Sequence, residues 1–196
     1  MATFRAIAAT SRTIQGLLED ACPRDEFPLA KFQLYQESNF IKPMDEGISI
    51  FLYRVAVNGT LRNLPPRLAS NGTRYRASLP LDLHYLLTPW AADVQRQQRL
   101  LGWGMRVLED TPILPSGLLN HYVPEPETFH QDEAVELICD PLSLQDWVTV
   151  WDKLKSKLQT SITYTARMVM IDSTMQLPEG RAVQTRVFEI HEGPPG

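Results

Sequence analysis

The residues best suited to chemistry in this 196-residue chain are two histidines and four carboxylates in one proline-rich segment. They are His121, Glu125, Glu127, His130, Asp132 and Glu133. Imidazole and carboxylate groups can bind a divalent metal ion, but no cysteine stands at ligand spacing beside them. A run of acids more often forms a solvated face. We therefore favour a solvated acidic loop over a metal site, and we predict no cofactor.

A second candidate is an acid and a histidine on one predicted strand. Asp82 and His84 are two positions apart, so their side chains share one face of that strand. No serine stands in a nucleophile elbow, and the glycines around Trp103 do not form a phosphate-binding loop. Cys22 and Cys139 are isolated in the sequence, which favours buried, reduced thiols. The sequence therefore predicts a protein that is not an enzyme.

The composition is that of a folded domain, with 43% hydrophobic and 21% charged residues. The net charge of −4 gives no indication of nucleic-acid binding. The N-terminal residues do not resemble a signal peptide, and no apolar run approaches the roughly 20 residues that span a bilayer. We predict one domain over residues 1–191, a short flexible tail over residues 192–196, and no direct insertion into a membrane.

Charge is unevenly distributed along the chain. Residues 47–81 contain no carboxylate, whereas residues 107–152 contain ten carboxylates and no lysine or arginine. The arginines of the basic segment are Arg54, Arg62, Arg67, Arg74 and Arg76. One hypothesis is that the two segments neutralise each other within one fold. The other is that they lie on opposite sides, so that the basic side of one copy contacts the acidic side of the next in a ring or a helical stack.

The four tryptophans divide into two pairs. Trp147 and Trp151 lie on the apolar stripe of a predicted helix, which favours a place in the core. Trp90 and Trp103 are candidates either for the core or for surface anchors. With the five arginines and with Glu125, Glu127, Asp132 and Glu133, these last two tryptophans complete our set of candidate assembly residues. We also expect the acidic loop, residues 122–133, to be a contact surface for assembly and to be dispensable for the fold.

Periodicity and proline positions predict an α+β fold. The predicted helices cover residues 3–21, 91–109 and 144–158, and the predicted strands cover residues 31–36, 48–57, 76–87, 134–139, 161–171 and 182–190. Residues 111–132 have no periodicity and are predicted to be a long loop. In the second helix the expected apolar stripe contains Val94, Leu101, Met105 and Leu108, and Gly102 and Gly104 mark a close contact or a break. We predict a mixed, mostly antiparallel sheet with about three helices packed mainly on one face.

Several short motifs, taken together, resemble those of one protein family. They are residues 79–88 (LPLDLHYLLT), Leu101-Gly102 with Met105-Arg106 and Leu108, Glu136-Leu137, Leu142-Ser143-Leu144, Trp147, Trp151, Ser161 and Tyr164. In this set the chain resembles the tail-terminator or cap proteins of extracellular contractile injection systems, such as antifeeding prophage and the Photorhabdus virulence cassettes. The similarity covers roughly residues 3 to 190.

The resemblance implies a structural role and a set of partners. Such a cap is expected to form a homohexameric ring at the end of the particle away from the baseplate, where it binds inner-tube protein and sheath protein. It would be assembled in the cytoplasm, in a particle that is released or is anchored to a membrane through other components. An exposed edge strand could accept a sheath arm. The alternatives are another structural component, such as a baseplate adaptor, or a small cytosolic ligand-binding domain.

Overall fold

A computed structural model describes residues 2–69, 71–124, 127–154 and 157–178. The helices in these ranges are α1 (Ala6–Ala21), α2 (Val94–Glu109), α3 (Ser116–His121) and α4 (Leu144–Lys153), with a 3-10 helix over Glu37–Phe40. The strands are β1 (Lys31–Tyr35), β2 (Gly47–Val57), β3 (Arg67–Leu68), β4 (Arg74–Tyr75), β5 (Leu79–Trp90), β6 (Ile113–Pro115), β7 (Ala134–Cys139) and β8 (Ile162–Ile171). The strand predicted over residues 182–190 and the tail at 192–196 lie outside the described residues.

Six strands form one mixed sheet in the order β1-β2-β5-β8-β7-β6. β1 and β2 are parallel, and the other neighbours are antiparallel. This confirms the predicted α+β fold with a mostly antiparallel sheet. β5 begins at Leu79, three residues later than predicted, and continues to Trp90. β3 and β4 form a separate hairpin in the segment that joins β2 to β5.

Three helices, α1, α2 and α3, cover one face of the sheet, which we call the first face. Ile14 and Leu18 of α1 are buried there in one cluster with Leu83 and Tyr85 of β5. The Tyr85 hydroxyl hydrogen-bonds to Ser11 Oγ at 2.9 Å. Because that hydroxyl is satisfied at the centre of the core, Tyr85 can be fully buried without an unpaired polar group.

The apolar stripe predicted for α2 is only partly correct. Val94 is 65% exposed, and the buried positions are Leu100, Gly104 and Leu108, spaced four residues apart. A Cβ atom on Gly104 would lie 2.6 Å from Ile48 Cδ1. Gly104 therefore marks a close contact between α2 and β2, and the helix is unbroken there. Because the helix approaches the sheet through this glycine, its buried face is rotated away from Val94.

The third predicted helix, α4, packs on the opposite side of the sheet, which we call the second face. Trp151 and Leu154 contact a cluster of Tyr35, Phe40, Leu86 and Trp90. Ser143 caps α4, as its spacing from Asp146 predicts, by accepting the Asp146 N–H at 3.2 Å. The helical spacing of apolar residues in the predicted helix also includes Leu144, Val148 and Leu158, but these three are exposed.

The segment predicted to be a long loop contains β6 and α3. These elements have three and six residues, which is too short for a visible period. The rest of the segment is tied to the core. Phe129 is buried, and its backbone N–H and C=O are both bonded to the Asn120 amide at 2.9 Å. None of the described helices is both long and apolar enough to cross a bilayer.

Candidate assembly surfaces

The first face of the sheet extends beyond the helices that cover it. Val55 and Val57 of β2 are paired with Leu83 and Leu81 of β5, so all four side chains lie on the first face. Leu81 and Leu83 are buried, whereas Val55 and Val57 are 46% and 48% exposed, as is Leu79 at 45%. We call Val55, Val57 and Leu79 the bare sheet end. No helix among the described residues covers these apolar side chains, which lie on the core face of the sheet, so they indicate a surface that another chain can cover.

The loops at the bare sheet end carry positive charge. The loop that leaves β2 contains Arg62, and the segment that enters β5 contains Arg76. Both are exposed, as are Arg54 and Arg74, and within the described ranges none of the four forms an ion pair. Arg54 is paired with His84 and therefore lies on the second face. Since arginine contributes more to protein interfaces than other charged residues, Arg62, Arg76 and the bare sheet end together have the composition of a binding surface.

Arg67 differs from the other arginines of the basic segment because it is used within the chain. Its guanidinium lies 3.4 Å from Asp172 and 4.7 Å from the centroid of the Tyr75 ring. Asp172 also accepts a hydrogen bond from Ser78. Arg67 therefore holds the β3–β4 hairpin against the residues that follow β8, and its side chain is largely unavailable to a partner.

The predicted acidic loop is a structured turn and not a dispensable segment. Tyr122 packs against Gly16 of α1 and donates a hydrogen bond to Asp20 at 2.7 Å. Burial and this bond raise the pKa of Tyr122 to about 12. The Thr3 N–H also bonds to the Thr128 carbonyl. With Phe129 in the core, deletion of residues 122–133 would remove part of the fold, so our expectation that the loop is dispensable is wrong.

The carboxylates of this turn have different surroundings. Glu133 accepts the N–H of His130 and stabilises the turn. Glu127 and Asp132 are exposed and line one pocket of about 460 Å³ with Asn120 and His130. Glu125 lies outside the described residues. The part of the chain that is described holds no cluster of histidine, cysteine and acid side chains that could bind a metal ion.

The outer side of α4 is a second exposed apolar surface. Leu144 and Val148 are 76% and 49% exposed and lie one helical turn apart. Asp152, one further turn along, is also exposed. We call Leu144, Val148 and Asp152 the α4 stripe. Trp147 and Trp151 lie toward the sheet, so the stripe is an apolar surface with an acid at one end, supported by a packed layer.

No ion pair between described residues links the basic segment, residues 47–81, to the acidic segment, residues 107–152. The acids of α4 lie on the second face, where Trp151 packs near Leu86 and Trp90. The bare sheet end lies on the first face, at the start of β5. The bare sheet end and the α4 stripe are therefore on opposite sides of the chain.

The two tryptophans proposed as surface anchors are mostly enclosed. Trp90 is 7% exposed, and its Nε1 donates to Ser49 Oγ at 2.9 Å. Trp103 is half-buried against Phe27 and Phe32, with ring centroids 6.2 and 5.6 Å away. Trp90 thus belongs to the core of the second face, and Trp103 presents only part of its ring.

The edges of the six-stranded sheet differ in their capacity to accept another strand. Lys31 of β1 donates its N–H to Glu46 O beside β2, so the alternate residues Phe32 and Leu34 direct their backbone groups outward. Gln15 Nε2 donates a hydrogen bond to the outward-facing Phe32 carbonyl at 2.8 Å. The other edge, β6, has only three residues and ends in Pro115, which has no N–H. Of these two edges, β1 is the one suited to strand addition.

Asp82 and His84 are held by structural partners. Asp82 accepts both of its bonds from the Asn58 amide, at 3.1 and 3.2 Å. His84 Nδ1 lies 3.0 Å from Thr165 Oγ1, which donates to Asp140 at 2.9 Å. Burial, and then the charge of Arg54, lower the pKa of His84, which favours the neutral form of the ring. This geometry links strands β5, β8 and the end of β7.

Comparison with models of known protein families shows the family to which the chain belongs. The model of the Pvc16 N-terminal domain matches residues 9–185, which is most of the chain. The chain belongs to this family. No curated protein sequence matches it, so membership rests on the family model.

Two solved structures have the same fold as this Pvc16 N-terminal domain. One is the sheath/tube terminator of the extracellular contractile injection system PVC in its extended state, with a TM-score of 0.61 and 16% identity over 96% of this chain. The other is the tube-terminating cap of the anti-feeding prophage, with a TM-score of 0.58 and 15% identity over 97% of this chain. The chain spans 64% and 62% of the lengths of these two proteins.

The bare sheet end and the α4 stripe are not evident from the sequence. Alternation places Val55 and Val57 in a strand, and helical spacing places Leu144 and Val148 on an apolar stripe, but neither pattern distinguishes a core side chain from an exposed one. One signal was available in α4: the helix has more apolar positions than a single contact face requires. No comparable signal shows where the helices over β2 end.

Proposed function

We propose that this domain is a structural terminator of a contractile injection system. In this proposal six copies form a ring on the last layer of the inner tube, stop its growth, and hold the last layer of sheath subunits. The observation that carries the proposal is the shared fold, which covers nearly all of this chain and is found in two tube or sheath terminators. The ring is proposed to assemble in the cytoplasm with the rest of the particle, which other components release or anchor.

Termination follows from interface geometry and requires no catalysis. A tube grows because each added layer offers a new copy of the surface to which it bound, so that a further layer can bind in the same way. A ring that matches this surface on one side and does not repeat it on the other ends the series. The two apolar surfaces described here, on opposite sides of the chain, suit lateral contacts between copies, and such contacts leave the axial faces of the ring free to differ.

Attachment of the sheath is proposed to use β1. An extended arm of a sheath subunit can add to this edge through the outward backbone groups of Phe32 and Leu34. Gln33 and Leu34 are exposed on either side of the strand, so they would contact the side chains of the arm. The Gln15 side chain already donates a hydrogen bond to the Phe32 carbonyl. This bond reduces the number of unpaired backbone groups on the edge when no arm is present.

Ring formation predicts a mass that depends on salt. At low ionic strength we expect the purified 22.3 kDa chain to associate into a species of six copies, measured by light scattering. Near 1 M salt the Debye length falls to about 3 Å, so contacts between the basic and acidic segments weaken and the average mass falls. A chain that is monomeric at every salt concentration and binds neither tube nor sheath would contradict the proposal. A ring that is indifferent to salt would contradict only the role of charge.

A further inference from the structure

We propose that neighbouring copies in the ring meet through the bare sheet end of one chain and the α4 stripe of the next. This inference rests on the proposed ring and identifies its lateral interface. The partner to which each surface is assigned is therefore a second copy of this chain. The evidence is the placement of exposed apolar side chains, the charges beside them, and the position of the two surfaces on the molecule.

The bare sheet end has an apolar centre beside basic loops. Val55, Val57 and Leu79 are each about half exposed although they lie on the core face of the sheet. No carboxylate occurs between residues 47 and 81, while Arg62 and Arg76 are exposed in the adjoining loops. A partner that fits this surface must bring apolar side chains to the centre and acids to the rim.

The α4 stripe has the complementary composition. Leu144 and Val148 supply the apolar side chains, and Asp152 supplies an acid one turn further along. Lys153 points to a different side of the helix, where it lines a groove with Phe51 and Tyr53. Asp146 is bonded to Ser143 and, being two residues from both Leu144 and Val148, lies on another side of the helix. A helix with apolar side chains and an acid can therefore extend the layer of helices, which covers the start of β2 at Ile48 but not its end at Val55 and Val57.

The positions of the two surfaces determine the kind of contact. The bare sheet end is on the first face at the start of β5, and α4 packs on the second face near Leu86 and Trp90, toward the end of β5. A chain cannot bring these surfaces together within itself. A contact between them is therefore heterologous, and heterologous contacts generate closed rings when the rotation between copies closes.

Two complementary variants of the full chain test this interface. Val57→Asp places a charge in the bare sheet end, and Val148→Asp places one in the α4 stripe. Each position is about half exposed, so both variants are expected to fold, which thermal unfolding checks. We expect each variant alone to lose the ring, with self-association weakened by about 100-fold or more, as for loss of an interface hot spot.

The decisive measurement is the mass of an equimolar mixture of the two variants. Each variant keeps one intact surface, so a head-to-tail contact lets them pair once, and the mixture should contain a dimer that neither variant forms alone. Ile41→Asp is the matched control, because Ile41 is 81% exposed and belongs to neither surface, and it should keep the ring. Rings that survive both variants, or a mixture without the dimer, would overturn the interface while leaving the terminator proposal intact. A wild-type chain that forms no ring would also overturn the interface, and one that in addition binds neither tube nor sheath would overturn the terminator proposal as well.

Discussion

Trp151→Ala is expected to cost about 3–5 kcal/mol of unfolding free energy, the range for truncating a large buried aromatic side chain. The Trp151 ring is the centre of the contact between α4 and the sheet. Its centroid lies 5.7 Å from that of Phe40 in an edge-to-face arrangement, and only 2% of the residue is exposed. Because α4 has few other buried residues, the variant should loosen the helix from the sheet. The α4 stripe would then be lost as a surface.

Replacing Trp151 or Trp90 by phenylalanine separates the contribution of packing to stability from that of hydrogen bonding. Within the described residues the Trp151 Nε1 has no hydrogen-bond partner, so Trp151→Phe gives up no bond and should cost much less than the alanine variant. Trp90→Phe removes the bond to Ser49 Oγ and leaves a buried hydroxyl with one partner fewer. We expect Trp90→Phe to be the more destabilising of the two in urea denaturation. Equal effects of Trp151→Phe and Trp151→Ala would contradict the packing of α4 described here.

Gly47→Ala is the second substitution with a large expected effect. Gly47 begins β2 with a φ of 143°, a backbone conformation that residues other than glycine rarely adopt. A Cβ atom there would lie 1.8 Å from the Lys31 carbonyl oxygen, which is backbone and cannot rotate away. We expect a loss of about 3 kcal/mol or more from backbone strain and the disturbed β1–β2 ladder, with weaker amide protection in β1.

Gly102→Ala is the control for this substitution. Gly102 lies within α2 with open space at the Cβ position, so the same chemical change there should stabilise the protein by about 1 kcal/mol through helix propensity. Guanidinium denaturation of both variants gives the comparison. If Gly47→Ala left stability and the β1 amides unchanged, the close approach of β1 to β2 would be contradicted.

Long periodic elements were predictable from the sequence because their patterns are strong. The strands at β1, β2, β5, β7 and β8 and the helices α1, α2 and α4 all occur where alternation or helical spacing predicts them. The short elements β6 and α3 were missed because three and six residues contain no full pattern. The resemblance to terminators depended on scattered motifs that have no catalytic meaning, and family membership confirms it.

Which face an element occupies could not be predicted from the same patterns. The spacing of Trp147 and Trp151 shows that α4 has an apolar side, but either face of a two-sided apolar sheet could receive it. The face of α2 was misassigned because Gly104 contributes to packing through its lack of a side chain. The charge segments were visible in the sequence, whereas the placement of the bare sheet end and the α4 stripe on opposite faces depends on the strand order.

The most direct test of the terminator role is the position of this chain in assembled particles and the length of particles that lack it. We expect a label on the chain to appear in electron micrographs only at the tube end opposite the baseplate. Particles assembled without the chain should have inner tubes of variable, excessive length. A label along the shaft, at the baseplate or nowhere, with tubes of normal length in its absence, would contradict the terminator role.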